Sequence, residues 1–259
     1  MSSARRRGLT LLELVVVMVI LVALAGILVP LLPGMLGRAS DAEQSTNVAE
    51  LLKAWQVFQT TNADHYYPDG LDSLVDASGA VYTKLPGQDI TGLFSVETLT
   101  QLAADVSTTS TPVDAATLLT RLQKLGLQHV YAMDSHTANA TFEPYGTGVT
   151  TPPALDVDTN TNLVRLSSSA VAAKLNAPTD GVYVILGIGA KCTIAGYGGI
   201  ANAPVHFNSG PDVSPINGYA RYGVIYNLRP TTPQLVGIVA FHADGIATGE
   251  DAQLQYYQR

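Results

Sequence analysis

Glu13 is the residue whose type and position ask most plainly for a chemical role. It is a lone carboxylate at the head of an apolar run, with no charged or ordinary polar side chain from Leu14 through Leu36. A carboxylate in a membrane-length segment is costly, and pairing with a cation is the chemistry that offsets the cost. Arg5, Arg6, Arg7 and Gly8 lie just before it.

Other candidate chemistry is thin. Gly187-Ile188-Gly189-Ala190-Lys191 faintly suggests a phosphate loop, but it lacks Walker spacing and has no helix behind it. It reads as a turn at a strand end. No G-x-S-x-G, H-E-x-x-H or paired-cysteine metal motif occurs. His65, His129, His136, His206 and His242 are scattered and suit surface or turn positions better than catalysis. The chain is therefore expected not to be an enzyme and to hold no cofactor.

Composition narrows the partners. The chain has 259 residues, 14% charged and 47% hydrophobic, with a formal charge of −7. That length suffices for one core and an added lobe. An acidic, sparsely charged body argues against nucleic acid as a partner. Cys192 is the sole cysteine, so no intrachain disulfide forms, and a buried, inert thiol is expected.

The element that positions Glu13 is a helix of membrane length. Leu14–Leu36 is 23 residues, about 35 Å as a helix against a bilayer core of about 30 Å. Its valines are mediocre helix formers in water, but in lipid the backbone must satisfy its own hydrogen bonds. The three arginines keep their end cytoplasmic, so the rest is exported. Three readings compete. A cleaved secretory signal would use Ala23-Leu24-Ala25 as its small-residue site. A plain signal anchor, holding an exported enzyme or binding domain, explains the length but gives Gly8 and Glu13 no task.

The third reading is a resemblance. Gly8, Thr10 and Glu13, set between a basic leader and an apolar helix, resemble the N-terminus of type IV pilins and type II secretion pseudopilins. Leu9 departs mildly, since Phe is the usual first mature residue there. The likeness runs from Arg5 to about Phe58. Tyr66-Tyr67-Pro68, followed by Asp69-Gly70-Leu71, also resembles the segment after the long helix in many pseudopilins. The resemblance implies cleavage by prepilin peptidase between Gly8 and Leu9, and N-methylation of Leu9. It also implies assembly into a helical filament through Glu13, as a structural subunit of a pilus or a secretion pseudopilus. Implied partners are further copies and related subunits, the peptidase, an inner-membrane assembly platform, and lipid before assembly. The implied location is the bacterial inner membrane, with the globular part exported, then a periplasmic or extracellular filament. Removal of residues 1–8 would take the formal charge from −7 to −10. Major pseudopilins often bind calcium, and Asp212, Asp244, Glu250 and Asp251 are candidate oxygen donors, but their spacing fits no transferable loop. They read as solvated acids, and no metal ligand is assigned.

Pro30 and Pro33 interrupt the helical hydrogen-bond ladder, so a kink is expected there. Beyond it, Val48, Leu51, Leu52, Trp55 and Phe58 share one helical face, with Asp41, Glu43, Glu50 and Lys53 placed on others. Leu71–Val75 reads as a helical turn. Val96–Val106, Val113–Leu125 and Ser168–Leu175 read as helices, Gln128–Met133 as a strand, and Ser135–Asn162 as loop. Gly181–Ile188, Tyr222–Leu228 and Leu235–Phe241 read as strands, paired antiparallel because no long helix separates them. The expected fold is α+β and pilin-like: a long N-terminal helix on an antiparallel sheet with an inserted helix/loop lobe. The expected organisation is a leader at 1–8, a membrane or filament half-helix at 9–36, an amphipathic half at 37–60, and an exported domain at 61–259. The insertion is placed at 76–180.

Overall fold

The computed structural model describes residues 11–29, 32–62, 67–76, 78–109, 111–131, 154–195, 200–205 and 219–251. Two helices open the chain, α1 (Leu11–Leu28) and α2 (Leu32–Thr61). There follow β1 (Leu71–Asp72), β2 (Phe94–Thr98), α3 (Leu99–Val106), α4 (Ala115–Lys124), β3 (His129–Tyr131) and β4 (Ala154–Asp156). The chain continues through β5 (Asn162–Leu166), α5 (Ser168–Leu175), β6 (Tyr183–Gly187), β7 (Tyr222–Asn227), β8 (Gln234–His242) and β9 (Gly245–Ala247). The fold is α+β.

One sheet carries all nine described strands: seven in the order β4-β3-β1-β6-β7-β8-β9, with β5 and β2 on a branch. β6 is the branch point: its Tyr183–Ile185 half pairs with β5, which pairs with β2, and its Gly187 end pairs with β1. The ladders are antiparallel except β1–β3, which is parallel. The parallel pair is possible because the segment from 73 to 128, with α3 and α4, supplies the long crossover it needs.

The alternation of the strands explains the core. Val184, Leu186, Tyr222, Val224, Tyr226, Ile238 and Ala240 point to one face, where Val48, Leu51, Ala54 and Trp55 of α2 cover them. Tyr183, Ile185, Ile225, Val239 and Phe241 point to the other. That second face is covered by Leu74, Val75, Tyr82, Leu85 and Leu93 and by Val171 of α5. With both faces covered, β6 and β7 are buried at every position and read as unbroken apolar runs. The stripe on α2 therefore packs on the sheet as expected, and Trp55 is fully buried.

Three expectations are corrected. Leu71–Val75 is not helical: β1 pairs on both sides, and Leu74 then takes a left-handed φ of 57°. Val96–Val106 divides into β2 and α3, because Thr98 caps a helix there. Its side chain accepts from Gln101 N, and the Gln101 side chain accepts from Thr98 N. Ser135–Asn162 contains β4 and the start of β5.

Asp72 sits at the junction of β1 and β6, 2% exposed, and accepts a 2.8 Å hydrogen bond from the Tyr219 hydroxyl. Two glycines make the room: a Cβ on Gly187 would overlap the Tyr219 hydroxyl, and one on Gly189 would overlap the Asp72 carboxylate. Gly187–Lys191 is thus the turn at the end of β6, and its glycines serve packing.

Trp55→Ala should cost about 3–5 kcal/mol, since it empties the centre of the α2–sheet contact; denaturant titration of the purified chain in detergent measures this. Cys192 is buried, and burial pushes its thiol up to about 12. It should resist alkylation at neutral pH until the chain is unfolded, and reducing agent should leave Tm unchanged. Rapid labelling of the native chain would contradict that placement.

Candidate functional site

The long N-terminal helix is the site. α1 consists of Leu-Leu-Glu-Leu-Val-Val-Val-Met-Val-Ile-Leu-Val-Ala-Leu-Ala-Gly-Ile-Leu, and none of its residues is buried. Its large apolar side chains are about half to four-fifths exposed, from 47% at Val15 to 82% at Leu11. It is apolar all round, so it has no face reserved for this chain's own core. By length and composition it can cross a membrane; among the described residues it is the one such helix.

Glu13 lies in the first turn of α1. Gly8, Leu9 and Thr10 fall outside the described residues, and so does Pro30. α1 ends at Leu28, α2 begins at Leu32, and Pro33 occupies the first turn of α2.

The second half of the helix is tied to the body. The inward stripe of α2 runs Asp41, Gln44, Val48, Leu51, Trp55 and Phe58, each less than a tenth exposed. The spacing is three and four throughout, yet the first two positions are polar. Gln44 Oε1 lies 3.0 Å from Nε2 of His242, at the end of β8, and Asn47 donates to the Tyr222 hydroxyl at 3.2 Å. Burial lowers the His242 pKa below its ordinary value. Two sequence readings are corrected here. Asp41 lies on the buried stripe, not on another face, and His242 is a buried partner of α2, not a surface turn residue. The signal was present in the 41, 44, 48 spacing, which continues the apolar stripe backwards.

A groove between α2, the end of α5 and β8 is lined by Val48, Leu52, Leu175, Val236 and Ile238, with Lys174 and Glu250 among its polar residues. Its lining contains no histidine, no cysteine and no pair of carboxylates. Asp251 accepts from Thr248 N and pairs with Lys174 at 3.1 Å, which gives that acid a structural use. Among the described residues, no group of three or more His, Cys, Asp or Glu side chains is arranged so that it could hold a metal ion. Asp212 lies outside them.

Comparison with known proteins bears on the same helix. Residues 3–29 match the family model for the prokaryotic N-terminal methylation motif. The chain is 38% identical over 79 residues to the type II secretion system core protein G of Escherichia coli K12. That match covers 29% of this chain and 53% of the relative, so the chain spans about half the length of the protein it resembles. No solved structure matches it. In its methylation motif, and over the 79 aligned residues, the chain is similar to a type II secretion core protein.

Proposed function

We propose that the chain is a subunit of a helical filament and that the likeness to core protein G favours a type II secretion pseudopilus over a pilus. The observation that carries this reading is an apolar helix with no buried residue, lying within a matched methylation motif. Before assembly, lipid covers α1. In the filament, the equivalent helices of other subunits cover it. Prepilin peptidase cuts after Gly8, residues 1–8 are lost, and the Leu9 amine is methylated. Residues 9–36 then serve the membrane and the filament core, 37–60 dock the exported body, and Pro30 and Pro33 mark the change between them. Within the body at 61–259, residues 76–180 are the added lobe. An inner-membrane platform supplies the work of extraction.

Glu13 sets the order of events. A carboxylate deep in the apolar phase costs on the order of 3 kcal/mol. It lies about 6 Å along the helix from Leu9. Cleavage creates a cationic amine, and methylation leaves it cationic. An opposite charge at about 4 Å is worth roughly 4 kcal/mol at an effective dielectric near 20. The two terms are comparable, so pairing with the amine of a neighbouring subunit offsets the buried acid and fixes the stagger between helices. Without cleavage there is no amine, and assembly stalls.

Glu13→Leu should insert in the membrane and be cut after Gly8 as usual, yet give little or no filament when it is the sole subunit. Electron microscopy of sheared filaments and immunoblotting of membranes read the two results separately. Wild-type filament yield would exclude the pairing. Gly8→Val should instead accumulate uncut in the membrane, with the exported body folded.

A further inference from the structure

His129 is held between two carboxylates from different parts of the fold. Its Nδ1 lies 2.7 Å from Asp69 Oδ2, and its Nε2 lies 3.3 Å from Asp156 Oδ1. Asp69 precedes β1, and Asp156 ends β4 directly across from His129 in the ladder. We propose that Asp69, His129 and Asp156 form a proton-operated latch at the outer end of the sheet, closed on β4 when the imidazole is charged and released from β4 when it is neutral.

The two arms of the latch are not equivalent. Asp69 is a fixed post. Its Oδ1 accepts from the backbone amides of Gln128 and His129 at 2.9 and 2.8 Å. Its own amide donates to Thr193 Oγ1 at 2.8 Å, and its carbonyl accepts from Thr193 N at 2.9 Å. A carboxylate so placed can only accept, so Nδ1 carries a proton in both charge states of His129. The proton that leaves comes from Nε2. The neutral ring then presents a lone pair to Asp156, acceptor against acceptor, and the β4 arm changes from attraction to repulsion.

The surroundings set the working range. The hydrogen bond to Asp69 raises the His129 pKa above its ordinary value against the opposing effect of desolvation, and the charges of Asp69 and Asp156 raise it further. Among the described residues these two acids are the charged groups acting on the ring. A raised folded value means the stabilisation is complete below about pH 6.5 and is lost as pH rises through the folded pKa. His242 has the opposite sign, because its lowered value costs stability as pH falls below about 6.5. The latch must therefore be read locally.

β4 is where the effect appears. Among the described residues it is the terminal strand in the sheet order and pairs with β3. Loosening it uncovers the outer edge of β3, a row of amides and carbonyls open to another strand. The latch thus couples proton concentration to how firmly that edge is closed. Asp156 is 90% exposed on its side chain, so the effect is that of an exposed ion pair, about two- to fivefold in the opening equilibrium.

The test is hydrogen–deuterium exchange of the full chain in detergent micelles at about pH 6 and about pH 8.5, corrected for intrinsic rates. Protection of residues 154–157 should be about two- to fivefold higher at the lower pH. Asp156→Asn, which leaves the Asp69 contacts intact, and His129→Gln should each show the same protection at both pH values. Equal protection in the wild type, or either variant keeping the wild-type pH dependence, overturns the latch.

Discussion

An apolar helix without a partner in its own chain is the constraint on which everything else depends. α1 exposes leucine, valine, isoleucine and methionine on every side. In water, that surface would drive association at roughly 25 cal/mol per Å² of apolar area. It therefore needs a covering from outside, either lipid or other helices. The rest of the molecule packs without it, so under the proposed function the helix could exchange one covering for another while the body stays folded. α2 supplies that independence. Its stripe from Asp41 to Phe58 fixes the lower helix to the sheet, and the sheet owes nothing to α1.

The polar upper end of that stripe is a notable choice. Asp41 and Gln44 are the first two positions of the stripe, buried beside His242 at the end of β8. Buried polar groups stabilise only in one geometry, because each must meet its partner. Apolar residues there would tolerate sliding of the helix along the sheet. The bond Gln44 accepts from His242 and the bond Asn47 donates to Tyr222 instead fix register. Any force transmitted along the helix then reaches the body through a defined attachment.

Much of this was legible in the sequence, for physical reasons. The apolar run, the lone Glu13 and the face carrying Val48, Leu51 and Trp55 are periodic signals with strong energetic consequences, and α1, α2 and their packing follow. Strands β6, β7 and β8 were legible because both faces are buried, which makes their apolar runs dense. Helix α5 was legible over its whole span. The losses share a cause. β1 is two residues long and exists through its pairing with β3 and β6, which no local pattern encodes. β2 was absorbed into a helix because Phe94–Thr98 runs directly into the apolar spacing of α3. His129 and His242 looked alike in the sequence. One is partly exposed between two acids and the other is buried against Gln44, a difference made entirely by residues far away in the chain. Gly8 and Leu9, for which processing is proposed, are the reverse case, visible as a motif and lying outside the described residues.

The central claim is that this helix is released from a leader and becomes a shared core. Mass determination of the intact mature protein from membranes tests it most directly. The expected chain begins at Leu9 and carries one methyl group on its amine. A chain beginning at Gly26, or one retaining Arg5, Arg6 and Arg7, would contradict it.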